Sequence, residues 1–189
     1  MKIEDQVIEL LHQVRPLDQR PVQVIPATDE DLRRFEQVHG MNLPNELKSW
    51  FRHCDGANVN PGGLDSLFPK HEIVCLDWHF KQYPAWKEWG WFPLASDGCG
   101  NLYIMMSQIT IPSTGTHPVF FLDQSDFEKP DYVVASGVWK FLYFVLQSEV
   151  LHDQGKHEYW PFDKVGVLAV DPALAECREI PLPWEVDAE

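Results

Sequence analysis

Apolar positions near the N-terminus recur at helical spacing. Ile3, Val7, Leu10 and Val14 occupy i, i+4, i+7 and i+11, which predicts a helix over residues 3–14 that Pro16 stops. Pro16, Pro21 and Pro26 make residues 16–27 a stiff extended connector. A second helix is predicted over 28–39. Thr28 can cap its first turn, Asp29, Glu30 and Asp31 suit the positive end of its dipole, and Leu32, Phe35 and Val38 supply an apolar face. Gly40 can take the left-handed conformation that ends it. Pro44 suits the first position of a third helix, in which Leu47, Trp50, Phe51 and Cys54 fall at i, i+3, i+4 and i+7, with Gly56 beyond its end. The short turn 40–43 requires these two helices to form a hairpin.

Beyond residue 57 the period changes. Residues 57–70 read as loop, around Pro61-Gly62-Gly63. Residues 71–91 fit strand or helix, with Pro84 interrupting. Short strands are predicted at 92–95, 101–107, 119–123 and 132–135, with a tight turn at Ser96–Gly100 and an acidic loop over 123–131. A further helix, about 137–151 and capped by Ser136, is apolar nearly all round and is therefore buried on most sides. Val165–Val170 is an apolar run of either type, and Asp171-Pro172 reads as the cap and first position of a last short helix. The strand connections are too short for parallel crossovers, so the expected class is α+β: an antiparallel meander packed against the N-terminal helix hairpin and the later buried helix. The expected organisation is a single domain over 1–189, with its core at about 25–150, an N-terminal helix and connector over 1–24, and a C-terminal extension over 152–189.

Charge narrows the function. The chain has 29 Asp+Glu against 15 Lys+Arg, a formal charge of −14 over 189 residues. Residues 116–189 hold 14 acidic and 5 basic side chains, so they carry −9 of that total. A polyanion would be repelled, so nucleic-acid binding is not expected. No apolar run is long enough to span a membrane, and Met1-Lys2-Ile3-Glu4-Asp5 opens no signal peptide, which predicts a cytoplasmic protein. Cys54, Cys75, Cys99 and Cys177 are widely spaced, agree with a reducing compartment, and read as small buried hydrophobes.

Few residue patterns suggest catalysis. None of the eight His falls in H-E-x-x-H; after His71-Glu72 the next His is His79. His152 and His157, with Asp153 and Glu158, read as solvated surface rather than a metal site. The loop Asp123–Asp131 gathers four carboxylates, yet its sixth residue is Glu128 and its twelfth position is Val134, which excludes an EF-hand. Cys99 lacks a nucleophile signature, and no phosphate-cradling glycine loop occurs. Seven aromatics crowd residues 78–92, as core or as a ligand surface. The expectation is a protein without enzymatic activity and without a cofactor.

Three segments resemble, in order and spacing, the SUKH superfamily, the Smi/Knr group of fungal cell-wall-synthesis regulators and bacterial toxin-immunity proteins. The first is Ala27–Glu36 followed by Gly40, Leu43-Pro44-Asn45-Glu46-Leu47 and Asp55-Gly56. The second is Phe92–Tyr103, containing Asp97-Gly98-Cys99-Gly100-Asn101. The third is Pro118–Asp123, followed by Ala135-Ser136 and the aromatic helix. Asn101 stands where family members often carry an acid. The resemblance implies a non-enzymatic protein-binding scaffold, in bacterial members an immunity protein that blocks a cognate toxin, often a basic nuclease; a regulatory scaffold is the alternative. Thr28, Gly40, Pro44, Trp50, Gly56, Gly98 and Gly100 are then structural. Asp97, Asn101, Asp123, Asp126, Glu128 and Asp131 are the candidate partner contacts, with an exposed Trp nearby as the expected anchor. Oligomeric state stays open.

Overall fold

The computed structural model describes residues 1–14, 24–70, 74–156 and 160–186. Pro16 and Pro21, the His71-Glu72 pair, and His157 with Glu158 lie outside the described residues. Among the described residues there are seven helices and one four-stranded sheet: α1 Ile3–Leu11, α2 Asp29–His39, α3 Asn45–Phe51, α4 Leu76–Gln82, α5 Ala85–Trp89, then β1 Trp91–Ser96, β2 Leu102–Met106, β3 Val119–Leu122, β4 Tyr132–Ala135, and finally α6 Val138–Asp153 and α7 Lys164–Val170. Two 3₁₀ turns, Pro172–Glu176 and Pro183–Glu185, follow. The sheet order is β1-β2-β3-β4, every pair antiparallel, so the fold is the α+β meander that the pattern predicts.

The helix hairpin forms for the expected reasons. Thr28 accepts a hydrogen bond from the Asp31 N–H at 3.1 Å, and the Asp31 carboxylate accepts from the Thr28 N–H at 2.9 Å, a reciprocal cap. Gly40 closes α2 at φ 64°. Pro44 sits one residue earlier than expected, as the N-cap of α3 rather than its first residue. The ion pairs Glu36–Lys48 (2.7 Å) and Asp29–Arg52 (2.9 Å) then tie the two helices. Val38 departs from the predicted apolar face: Leu32 and Phe35 are buried, while Val38 is 58% exposed. The His39 ring takes part in the packing instead, 4.4 Å from Phe35 and 5.3 Å from Phe80.

Segment 74–91 resolves as two short helices. The Cys75 thiol accepts from the Trp78 N–H at the start of α4, and Gly90 ends α5 in the left-handed region at φ 66°. Only some of the aromatics over 78–92 are core: Phe80, Trp86 and Phe92 are buried, whereas Trp78 and Trp89 are exposed.

β2 is buried at every residue, so the centre of the sheet is covered on both faces. Its edges are covered too. Backbone from 63–65 runs along β1, with the Asp65 N–H donating to Leu94 O at 2.8 Å, and Val133 of β4 donates to Pro181 O at 3.0 Å. Covered edges give other chains no template for strand addition. α1 packs on α6, and the buried apolar cluster runs from Val7 to Leu182, so both chain ends contribute to one core.

Two expected caps are replaced by a tertiary contact. α6 is preceded by Gly137, which has no side chain to offer. Ser136 does not cap α6; Asp171 stands at the N-cap of the turn 172–176 with Pro172 first, as expected, but its side chain gives that turn no hydrogen bond. Their side chains bond each other: Asp171 accepts from the Ser136 N–H at 2.7 Å and from its hydroxyl at 2.5 Å, with both residues buried. Cys54, Cys75 and Cys177 are buried as expected; Cys99 is exposed in the β1–β2 turn.

Candidate protein-binding surface

The register of the sheet decides which loops meet. β2 pairs with β3 as Leu102↔Leu122, which places the β1–β2 turn and the β3–β4 loop at the same end. Asp97, Asn101, Asp123, Asp126, Glu128 and Asp131 all lie there, and residues 119–135 contribute a single base, Lys129.

Backbone hydrogen bonds fix most of these carboxylates. Asp97 Oδ1 accepts from the Cys99 and Asn101 N–H groups (2.8 and 3.1 Å), and its Oδ2 accepts from Asn101 Nδ2 at 2.7 Å. Asn101 Oδ1 in turn accepts from the Gln124 N–H at 2.9 Å, which couples the turn to the loop. Within the loop, Asp123 accepts from Ser125, Asp126 from Glu128, and Asp131 from the Asp123 N–H, at 2.8–3.0 Å. The bonds from Ser125 hold the Asp123 carboxyl below its ordinary range. An amide at position 101 therefore serves better than an acid, because it donates to Asp97 and accepts from Gln124 at once. Gly98 (φ 77°) and Gly100 (φ 104°) supply the backbone that this turn needs, and a Cβ at Gly98 would stand 2.4 Å from Pro61 O.

Aromatic contacts anchor the loop at its middle and where it enters β4. Phe127 packs against Tyr83 (5.3 Å) and Trp86 (6.1 Å), and Trp86 Nε1 donates to its carbonyl at 3.3 Å. At the start of β4 Tyr132 stacks on Phe121, 4.9 Å and 8° from parallel, and meets Phe162 at 5.9 Å. Burial, then the neighbouring charges of Asp131, Asp97 and Asp123, push the Tyr132 phenol up to about 12. The aromatic segment at 78–92 thus supports the acidic loop. The expected Trp anchor is not found in these contacts: Trp86 is buried, and the rings that meet exposed Trp78 and Trp89 are His79 and Trp91.

Sequence reasoning missed a set of buried polar and ionisable side chains. Asp55, only 2% exposed, accepts from the Leu67 N–H at 2.7 Å and pairs with Lys70. His79 Nε2 lies 3.1 Å from Asp65, and His39 Nε2 lies 3.3 Å from Asp77, which also pairs with Lys81. These side chains are buried among rings, and their acidic partners stand 14 and 38 residues away in sequence, so no local motif announces them. Among the described residues, no group of His, Cys, Asp or Glu is arranged to hold a metal ion, and no helix is long and apolar enough to cross a membrane. The chemistry the acidic end can perform is recognition of cationic groups, by charge and by acceptance of hydrogen bonds from Lys or Arg.

None of the curated proteins matches the sequence. A family model described as SMI1 / KNR4 family (SUKH-1) does match, over residues 26–143, from the residue before Ala27 and the Thr28 cap into α6. With that span covering more than half of the chain and the fold agreeing, the protein belongs to the SMI1/KNR4 (SUKH-1) family of immunity and regulatory proteins.

Proposed function

We propose that the chain is a cytoplasmic immunity protein, a single domain that binds a cognate toxin through the acidic end of its sheet and neutralises it stoichiometrically, without catalysis. The supporting observation is the fixed cluster itself. Five carboxylates face one Lys, and the bonds that hold Asp97, Asp123, Asp126 and Asp131 prevent them from reorganising when a cation arrives. A nuclease surface, built to attract phosphates, is the complementary partner: Asp and Glu occupy it in place of the nucleic acid. Charge of this kind mainly accelerates encounter and excludes wrong partners.

The test is co-expression with the product of the adjacent reading frame. A 1:1 complex is expected, with an association rate that falls at least ~10-fold between 0.05 and 0.5 M salt as screening sets in. Asp126→Lys combined with Glu128→Lys is expected to reduce the low-salt rate by a similar factor without changing the fold. No complex, or one indifferent to salt and to the reversed charges, defeats the reading. A regulatory role, which the family equally accommodates, predicts a complex with a host protein and no toxin frame beside the gene.

A further inference from the structure

The acidic end adjoins an apolar surface that the fold leaves uncovered. Residues 162–166 are all exposed, although they include Phe162 (56%) and Val165 (81%). α7 is apolar over most of its length, yet Val167 is its one fully buried residue. The exposed pair is not isolated. Phe162 meets the half-buried Tyr132, which stacks on half-buried Phe121, so an apolar strip runs from the sheet surface out to α7. Asp131 and Asp123 border the strip, with the Asp131 carboxylate accepting from the Asp123 N–H. On the α7 side, Asp163 is occupied with the Val165 N–H, and the Lys164 ammonium stands over the Trp184 ring.

We propose that this strip, centred on Phe162 and Val165, is the apolar anchor of the toxin interface, and that the carboxylates of the 123–131 loop form its charged rim. This rests on the binding role proposed above and assigns the part of the surface that carries the affinity. An apolar centre inside a polar rim is the ordinary anatomy of a specific interface, and a large aromatic ring is a typical hot spot. Charge selects the occupant. A second copy of this chain would bring Asp123, Asp126, Glu128 and Asp131, with only Lys129 among them, against their own copies, and an anionic lipid surface or a nucleic acid would be repelled likewise. A protein that presents an apolar side chain ringed by Lys and Arg fits both features at once.

The experiment measures affinity for the purified product of the adjacent reading frame by titration calorimetry, using the full chain and three variants: Phe162→Ala, Val165→Asp and Val38→Asp. Val38, 58% exposed on α2, serves as the control for adding a charge to an exposed apolar site. All three replace exposed side chains, and urea unfolding confirms that each is folded. Phe162→Ala and Val165→Asp are each expected to weaken binding by at least ~30-fold, the size of a hot spot, and Val38→Asp by less than about 2-fold. Tight binding that both strip variants leave unchanged overturns the anchor and spares the immunity reading. Absence of any wild-type complex removes the reading and the anchor together. A wild-type dimer that Val165→Asp dissociates, seen by sedimentation, overturns the choice of occupant, because the strip then serves self-association.

Discussion

The Ser136–Asp171 contact is the clearest place to measure what tertiary structure adds to this chain. Asp171 is 1% exposed and Ser136 3%, and the two are 35 residues apart. Asp171→Ala strands a buried N–H and a buried hydroxyl. Each such loss costs about 1–3 kcal/mol. Removing the carboxylate also relieves its own desolvation, which offsets part of that, so the expected net cost is about 2–4 kcal/mol. Ser136→Ala keeps the backbone bond and loses only the hydroxyl, at about 1–2 kcal/mol. The double variant should cost less than the sum by about 1 kcal/mol, since the hydroxyl bond is counted in both singles. The assay is urea unfolding followed by Trp fluorescence, with a thermal scan as a check; at roughly 2–4 °C per kcal/mol for a chain of this size, Asp171→Ala should lower Tm by about 5–15 °C. A cost below 1 kcal/mol for Asp171→Ala, or strict additivity in the cycle, refutes the reasoning.

The other expectations use the same measurements. Gly98→Ala should destabilise by about 2–4 kcal/mol, because it combines a left-handed backbone with a Cβ 2.4 Å from Pro61 O, whereas Gly115→Ala, at φ 69° in open space, should cost only about 1 kcal/mol; equal costs would show that the 57–64 loop does not press on the turn. Thr28→Ala should cost about 1 kcal/mol through loss of the α2 cap, read as a shifted urea midpoint. For His39, burial holds the imidazole below its ordinary range, with Asp77 opposing and the Lys87 and Lys81 charges assisting. The unfolded chain then binds the extra proton first, so this contribution is complete above the ordinary His value near 6.5 and declines as pH falls below it. The midpoint difference between pH 7.5 and pH 5.5 should therefore be smaller in His39→Gln than in the wild type, and an unchanged difference would exclude His39 as its source.

Asp97 and Asn101 show how one signal can support two readings. Both are candidate partner contacts in the sequence, Asp97 by charge and Asn101 by position, and in the fold both hold the turn: one carboxylate receives three hydrogen bonds, and the amide bridges to the neighbouring loop. The negative charge of Asp97 still adds to the surface, but substituting either residue would disturb the loop along with any contact. Asp126 and Glu128, exposed at the tip, are the cleaner sites for testing recognition.

Local rules made much of the architecture legible. Thr28, Gly40 and Pro44 punctuate the hairpin because capping and left-handed closure depend on residues within one turn of the helix end, and the four strands stand out because short apolar runs bounded by turn residues are likewise local signals. The same locality explains the failures. Ser136 and Asp171 look like caps only while no other partner is considered, and Val38 fits an apolar face only if α2 packs symmetrically. The meeting of the two acidic segments depends on the Leu102↔Leu122 register, the pairing of His79 with Asp65 depends on how α4 folds back, and the exposure of Phe162 depends on what leaves α7 uncovered. Composition determined that the chain is acidic; only the packed sheet decided that its carboxylates gather at one end beside an apolar strip, because position in space is set by long-range burial and not by neighbours in sequence.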